Sequence, residues 1–221
     1  MSKQAAQNTT NQITEGVIWK QLLIFFFPIL FGTFFQQLYN TADAIIVGNF
    51  VGKEALASVG GSASTIINLL VGFFVGLSSG ATVIISQYYG ADNRRRVSDS
   101  VHTAIALAIA GGVVIMLIGL VSARFALTAM GTPDDILSLS LTYMKIYYLG
   151  TIPSMIYNMG SGILRALGDS KRPLLFLVVC TIVNTILDLF FVAVLKLEVA
   201  GAAIATSLSQ LICAWLVIRT L

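Results

Sequence analysis

Six long runs of apolar residues fill almost the whole sequence. A helix that crosses a hydrocarbon core of about 30 Å needs roughly 20 such residues. The chain of 221 residues is 57% hydrophobic and only 10% charged, which lies outside the range of soluble globular domains. The sequence therefore predicts an all-α membrane protein with six transmembrane helices. The predicted spans have approximate boundaries of 19–47, 58–86, 99–121, 134–164, 173–195 and 199–221.

These spans leave no room for a soluble domain. Residues 1–16 form a polar tail, predicted to be cytoplasmic, and residues 17–221 form a single transmembrane unit. The first, second and fourth spans are longer than a bilayer requires, which predicts tilted or kinked helices. Pro28 and Pro153 are candidate kinks in the first and fourth spans, because proline removes a helical hydrogen bond.

Two local patterns make narrower predictions. Thr132 and Pro133 indicate a helix start, with the threonine as N-cap and the proline at the first helical position. Cys180 and Cys213 both fall within apolar spans, where cysteine is typical of a small buried side chain. No disulfide is predicted from them.

Lysine and arginine are unequally shared between the two sides of the predicted membrane unit. Loops rich in these residues face the cytoplasm in multi-pass proteins. The side that holds both termini carries Lys3, Lys20, Arg94, Arg95, Arg96, Arg165, Lys171, Arg172 and Arg219; the other carries Lys53, Arg124 and Lys196. This asymmetry predicts cytoplasmic termini in the plasma membrane, the inner membrane of a bacterium. Because topology explains the net charge of +3, it does not indicate a nucleic-acid partner.

Two carboxylates lie inside predicted spans, whereas the other eight of the ten acidic residues fit loops or helix ends. Asp188 is well inside the fifth span, and Asp43 is late in the first. An acid within the membrane is costly unless it meets water, a partner or a proton, so both are candidates for function. The alternatives are a structural hydrogen bond between helices for Asp188 and an interfacial position for Asp43.

Helix spacing gathers more polar groups around these acids. At 1.5 Å per residue, Asp188 and Thr206 are each about 10 Å below the outer surface, and Asp43 is about 6 Å below it. Asn184 lies four residues before Asp188, on the same helix face, and Tyr39 is related in the same way to Asp43. The five residues predict a polar site for a proton, a small cation or a cationic ligand.

No pattern for catalysis accompanies this site. We find no metal-ligand spacing, nucleophile with a base, nucleotide-binding loop or dinucleotide fingerprint. The sequence therefore predicts that the chain is not an enzyme and does not use ATP.

The sequence resembles the multidrug and toxic compound extrusion (MATE) transporters, specifically the N-terminal six-helix lobe of the prokaryotic type. The resemblance covers most of the chain and is most specific in its last two segments. The matching segments are Pro28 through Tyr39 to Asp43, Val51-Gly52-Lys53-Glu54-Ala55-Leu56-Ala57, Gln87-Tyr88-Tyr89-Gly90-Ala91, Leu164-Arg165-Ala166-Leu167-Gly168-Asp169-Ser170-Lys171-Arg172-Pro173 and Asn184-Thr185-Ile186-Leu187-Asp188.

The resemblance implies a secondary antiporter that exchanges H⁺ or Na⁺ for organic cationic drugs, without a cofactor beyond the coupling ion. Its implied ion site, for a proton or Na⁺, consists of Asp43, Asn184, Asp188 and Thr206. Its implied cavity and kink residues are Tyr39, Tyr143, Asn158, Ser161 and Pro28. Ser161 stands where some relatives have asparagine, and Asn158 lies one turn earlier, so details of the cation site can differ.

The resemblance also implies a second lobe, because MATE transporters have two six-helix lobes with the substrate route between them. This chain could be a fragment, pair with a second copy, or pair with another half. Two other functions stay open. One is a flippase for lipid-linked precursors, which would need several basic cavity residues where only Lys145 is a candidate. The other is an inert or assembly-only half-transporter.

Overall fold

Helices account for nearly all of residues 17–221, the part of the chain that the computed structural model describes. The predicted tail, residues 1–16, lies outside it. The helices are α1 Ile18–Phe50, α2 Lys53–Gly60, α3 Ser62–Gly90, α4 Arg94–Ala129, α5 Asp134–Leu149, α6 Thr151–Ala166, α7 Lys171–Asp188 and α8 Glu198–Thr220. A π-helical segment, Leu189–Val194, continues α7. No strand occurs among these residues, which confirms the all-α prediction.

Five helical segments are long and apolar enough to cross a membrane. They are Leu22–Phe50, Lys53–Gly90, Arg94–Ala129, Lys171–Val194 and Glu198–Thr220. The predicted span 134–164 is instead divided into α5 and α6, each of 16 residues and each too short alone. The membrane class and five of the six spans are therefore confirmed, while the number six and the cytoplasmic termini stay predictions.

The division of the fourth predicted span occurs at Gly150, three residues before the predicted kink at Pro153. Pro153 is the third residue of α6, and it has no N–H to donate to the carbonyl of Leu149, the last residue of α5. Gly150 lies against α8, because a Cβ there would be 2.6 Å from Ser207 Oγ. That hydroxyl donates to the carbonyl of Ile146, 3.3 Å away, near the end of α5. The break therefore lies one turn before Pro153, where the predicted kink places it, and Gly150 packs closely against α8 at the same point.

The start of α5 also differs from the prediction. The helix begins at Asp134, and Pro133 is its N-cap, with an extended ψ of 145°. The hydroxyl of Thr132 is buried without a hydrogen-bond partner among the described residues, so it does not cap the helix. The predicted start was one residue early, which is common at helix ends.

The two cysteines are joined, contrary to the prediction of no disulfide. Cys180 of α7 is bonded to Cys213 of α8, and their Cα atoms are 6.1 Å apart. That separation is within the range of disulfides. Helix packing produces the proximity, and a cysteine in an apolar span has the same sequence pattern whether it is paired or free.

Helices α6 and α8 form the centre of the packing. Helix α6 packs against α3, α4 and α8, and α8 also packs against α5 and α7. Small side chains on α8 are buried, including Ala202, Ala203 and Ala205, and small residues allow close helix approach in membranes. Helix α1 is peripheral, with Trp19 and Phe34 exposed on its surface. Exposed apolar side chains are expected where helices contact lipid.

Gly160 of α6 provides a test of this packing. A Cβ at Gly160 would overlap Val217 of α8, which is fully buried. We expect Gly160→Ala to destabilise the protein by about 1–3 kcal/mol, the usual cost of overpacking, and to lower the melting temperature in detergent. Gly72→Ala in α3 is the control, because nothing lies within 4 Å of its added Cβ. Equal changes in the two variants would contradict the packing described here.

Candidate ion site and adjoining cavity

Two buried carboxylates meet at one amide between α1 and α7. Asp188 and Asn184 are fully buried, and Asp43 is 7% exposed. With the Asn184 nitrogen facing the acids, Nδ2 lies 2.8 Å from Asp43 Oδ1 and 3.3 Å from Asp188 Oδ2. Hydrogen bonding sets this orientation, since the amide oxygen would otherwise face two acceptors.

Helix α8 adds one hydroxyl group to this pair and a second beside Tyr39. Thr206 Oγ1 donates to Asp43 Oδ2 at 3.4 Å. Tyr39 was predicted to pair with Asp43, but its hydroxyl lies 3.5 Å from Ser209 Oγ instead. Ser209 was missed by sequence reasoning, although it lies only three residues after Thr206 and is fully buried. The predicted polar set is therefore brought together, with a changed partner for Tyr39.

The longer α1 changes the predicted depth of Asp43. The helix continues to Phe50 and not only to Val47, so Asp43 lies seven residues, about 10 Å, from its end. Asp188 lies six residues before Val194, the end of the π-helical segment. Counted from these helix ends, the two acids lie at similar positions; the interfacial position considered for Asp43 stays an untested alternative.

The charges of this pair are not balanced by a nearby base. Within the described residues the ion pairs are Arg94 with Asp92 and Arg172 with Asp169, both away from the site. Asp188 Oδ1 is buried without a hydrogen-bond partner among the same residues. Two unpaired buried carboxylates are costly, and a bound proton or cation reduces that cost. The carboxylates and the Thr206 hydroxyl supply oxygen ligands that suit a hard cation such as Na⁺, whereas the Asn184 nitrogen that faces the acids does not ligate a cation.

A cavity of about 590 Å³ adjoins the pair. Asp43 and Thr206 line it, while Asn184 and Asp188 lie behind them and do not. The four predicted cavity residues, Tyr39, Tyr143, Asn158 and Ser161, all line it, and so does Pro28. Asp43 is therefore the acid in contact with both the pair and the cavity. Pro28 lies inside an uninterrupted α1, and its role as a conformational kink stays a prediction.

Contacts within α5 and α6, and one between α3 and α6, order part of the cavity wall. Asn158 Nδ2 donates to the carbonyl of Ser154 at 2.8 Å, and the Asn158 carbonyl accepts from Ser78 Oγ at 2.8 Å. The rings of Tyr143 and Tyr147 lie 6.3 Å apart on one face of α5. One wall of the cavity is therefore aromatic and another carries hydrogen-bonding groups.

Sequence reasoning missed a set of polar side chains in this cavity. Their shared feature is an amide or hydroxyl inside an apolar span, which was a usable signal. They are Gln36, Gln37, Asn40, Asn68, Ser79, Thr82 and Gln210. Uncharged polar residues within a span carry a weaker signal than carboxylates, because they cost less to place in a membrane.

The chain is similar to proteins of one transporter family. A model of the MatE family matches residues 28–190. The chain is 33% identical over 197 residues to "Probable multidrug resistance protein YpnP" of Bacillus subtilis, covering 89% of this chain and 44% of that protein. It is 30% identical to "Probable multidrug resistance protein YoeA" of the same species, covering 91% and 44%.

A solved structure agrees with these relatives. It is described as the outward-facing conformation of a multidrug resistance MATE family transporter, and it superimposes with a TM-score of 0.88 at 28% identity. The match covers 95% of this chain and 46% of that one. The chain thus spans about half the length of the curated relatives it matches. The family consists of transporters rather than enzymes, and this multi-pass membrane chain belongs to the MATE family.

Proposed function

We propose that the chain is the N-terminal lobe of a multidrug antiporter that exchanges H⁺ or Na⁺ for organic cations across the bacterial plasma membrane. The observation that carries the proposal is the buried pair of Asp43 and Asp188, held by Asn184 beside a large cavity. A proton or Na⁺ at the pair and an organic cation in the cavity would both interact with Asp43. Because each offsets the same negative charge, occupancy by one disfavours the other, which is the coupling that exchange requires.

The cavity favours a cationic substrate. Its volume falls within the range of small-molecule sites. Tyr39, Tyr143 and Tyr147 line it together with Asp43, and aromatic faces and carboxylates both attract organic cations. Arg165 is the one basic side chain among its described lining residues.

The alternative of a lipid-linked precursor flippase receives little support from this cavity. A pyrophosphate would need several basic groups, and Lys145, the residue considered for that role, is exposed and outside the cavity. The alternative of an inert half is weakened by the closeness of the two acids, the amide and Thr206, since an unused site has no reason to hold them together.

The proposed transporter has six spans, with α5 and α6 together completing the fourth, and both termini in the cytoplasm. A second lobe, or a second copy of the chain, would supply the opposite wall of the substrate route. No cofactor beyond the coupling ion is included.

Ion binding is testable on this chain alone. We expect NaCl, compared with KCl at equal ionic strength, to raise the melting temperature of the purified protein, because a ligand that binds only the folded state stabilises it. If the ion is H⁺, lowering the pH should give the stabilisation instead. Either response should be lost in Asp188→Asn.

The matched control is Asp134→Asn, which removes an exposed carboxylate from the first turn of α5. It should respond to Na⁺ or pH as the parent does. An Asp188→Asn response equal to that of the parent would contradict an ion site at this pair.

Transport can be measured as ethidium efflux from drug-sensitive cells that express the chain in their membrane. We expect efflux from the parent and from Asp134→Asn, and background efflux from Asp188→Asn, because the last variant cannot exchange an ion at the pair. Efflux that persists in Asp188→Asn would contradict the antiport mechanism. Absence of efflux in all three would contradict transport by copies of this chain alone.

If the Asn184 amide stabilises the two acids, replacing Asn184 by alanine should destabilise the protein more than replacing Asn158. Asn184→Ala should leave the buried Asp188 without its donor and Asp43 with Thr206 alone, at a cost of about 1–3 kcal/mol. Asn158→Ala removes a bond to a backbone carbonyl only and should cost less. Chemical denaturation in detergent measures both, and a smaller loss for Asn184→Ala would show that the amide does not stabilise the acids.

A further inference from the structure

A second large pocket, a groove between α3 and α4, shares no lining residue with the ion-site cavity. Its volume is about 950 Å³. One end is polar and basic, and the rest is apolar. The polar lining residues are Tyr88, Asn93, Arg95, Arg96, Asp99, Ser100 and Thr103, and the apolar ones are Gly76, Leu77, Gly80, Ala81, Ile84, Ile85, Ala104 and Leu107.

The arginines at the polar end differ in the contacts that they make within the protein. Arg96 is held in place, since its Nη1 donates to the Tyr88 hydroxyl at 3.2 Å and its guanidinium lies 5.5 Å from the Tyr88 ring centre. Arg95 is exposed and has no hydrogen-bond or ion-pair partner among the described residues. Arg94 differs, because it pairs with Asp92 at 3.8 Å and does not line the groove.

The apolar part of the groove is long enough to hold the acyl chain of a lipid. From Tyr88 to Gly76, α3 runs twelve residues, about 18 Å, and α4 runs the same distance from Arg95 to Leu107. One leaflet of the hydrocarbon core is about 15 Å thick. Two glycines open the wall, because nothing lies within 4 Å of a Cβ added at Gly76 or Gly80.

We propose that this groove binds an anionic phospholipid, with its phosphate between Arg95 and Arg96 and an acyl chain along Gly80 and Gly76. Arginine pairs well with phosphate oxygens, and basic pockets between transmembrane helices suit anionic headgroups. Asp99 opposes one of the two positive charges, so the end of the groove keeps a net positive charge. A soluble phosphate would use only the polar end, whereas the apolar length favours a lipid. This inference does not depend on the transport proposal.

The direct test is native mass spectrometry of the full purified chain, mixed with phosphatidylglycerol or phosphatidylcholine that carry identical acyl chains. We expect preferential retention of phosphatidylglycerol. Arg95→Gln with Arg96→Gln should weaken retention by about tenfold or more, since each surface arginine contributes to anionic-lipid binding. Arg124→Gln is the matched control, because Arg124 is exposed and outside the groove.

Two further variants separate the lipid from other occupants. Gly80→Leu should fill the apolar wall and weaken retention, while Asp99→Asn should strengthen it by removing a repulsive charge. Melting temperatures without lipid show whether each variant remains folded. Equal retention of the two lipids, no effect of Gly80→Leu, displacement by glycerol phosphate alone, or lipid loss when two copies associate would each overturn the proposal.

Discussion

The central constraint in this molecule is the burial of two carboxylates against a single amide. Asp43 and Asp188 come from different helices, and Asn184 donates to both. An amide supplies hydrogen bonds but no charge, so the pair remains electrostatically incomplete in a low-dielectric setting. This uncompensated negative charge is the physical basis for expecting a proton or Na⁺ at the pair. It also favours the binding of positively charged molecules in the neighbouring cavity.

The position of the acidic pair depends on helix packing by small apolar residues. Helix α7 contacts both α1 and α8, which brings Asp188 and Asn184 toward Asp43 and Thr206. The buried alanines of α8 and the tight contact of Gly160 with Val217 hold this centre together. Cys180 and Cys213 join α7 to α8 on the same side of the bundle. Small residues therefore set the distance between the charged ones.

The helical membrane fold and the main polar residues could be predicted because their signals are local. Apolar length identified five of the spans, and the i, i+4 spacing placed Asn184 beside Asp188. Contacts between helices carry no such signal, which is why the disulfide and the pairing of Tyr39 with Ser209 were missed. The break in the fourth predicted span has a local signal in Pro153, whereas the close packing of Gly150 against Ser207 of a distant helix has none.

The most direct test of the account is whether an organic cation displaces an ion from the acidic pair. Ethidium would be added to the purified chain in weakly buffered solution while free H⁺ and Na⁺ are recorded. The account predicts that binding releases one of these ions, and that the release is absent when Asp43→Asn and Asp188→Asn are combined. Ethidium binding without ion release, or equal release from the double variant, would contradict it.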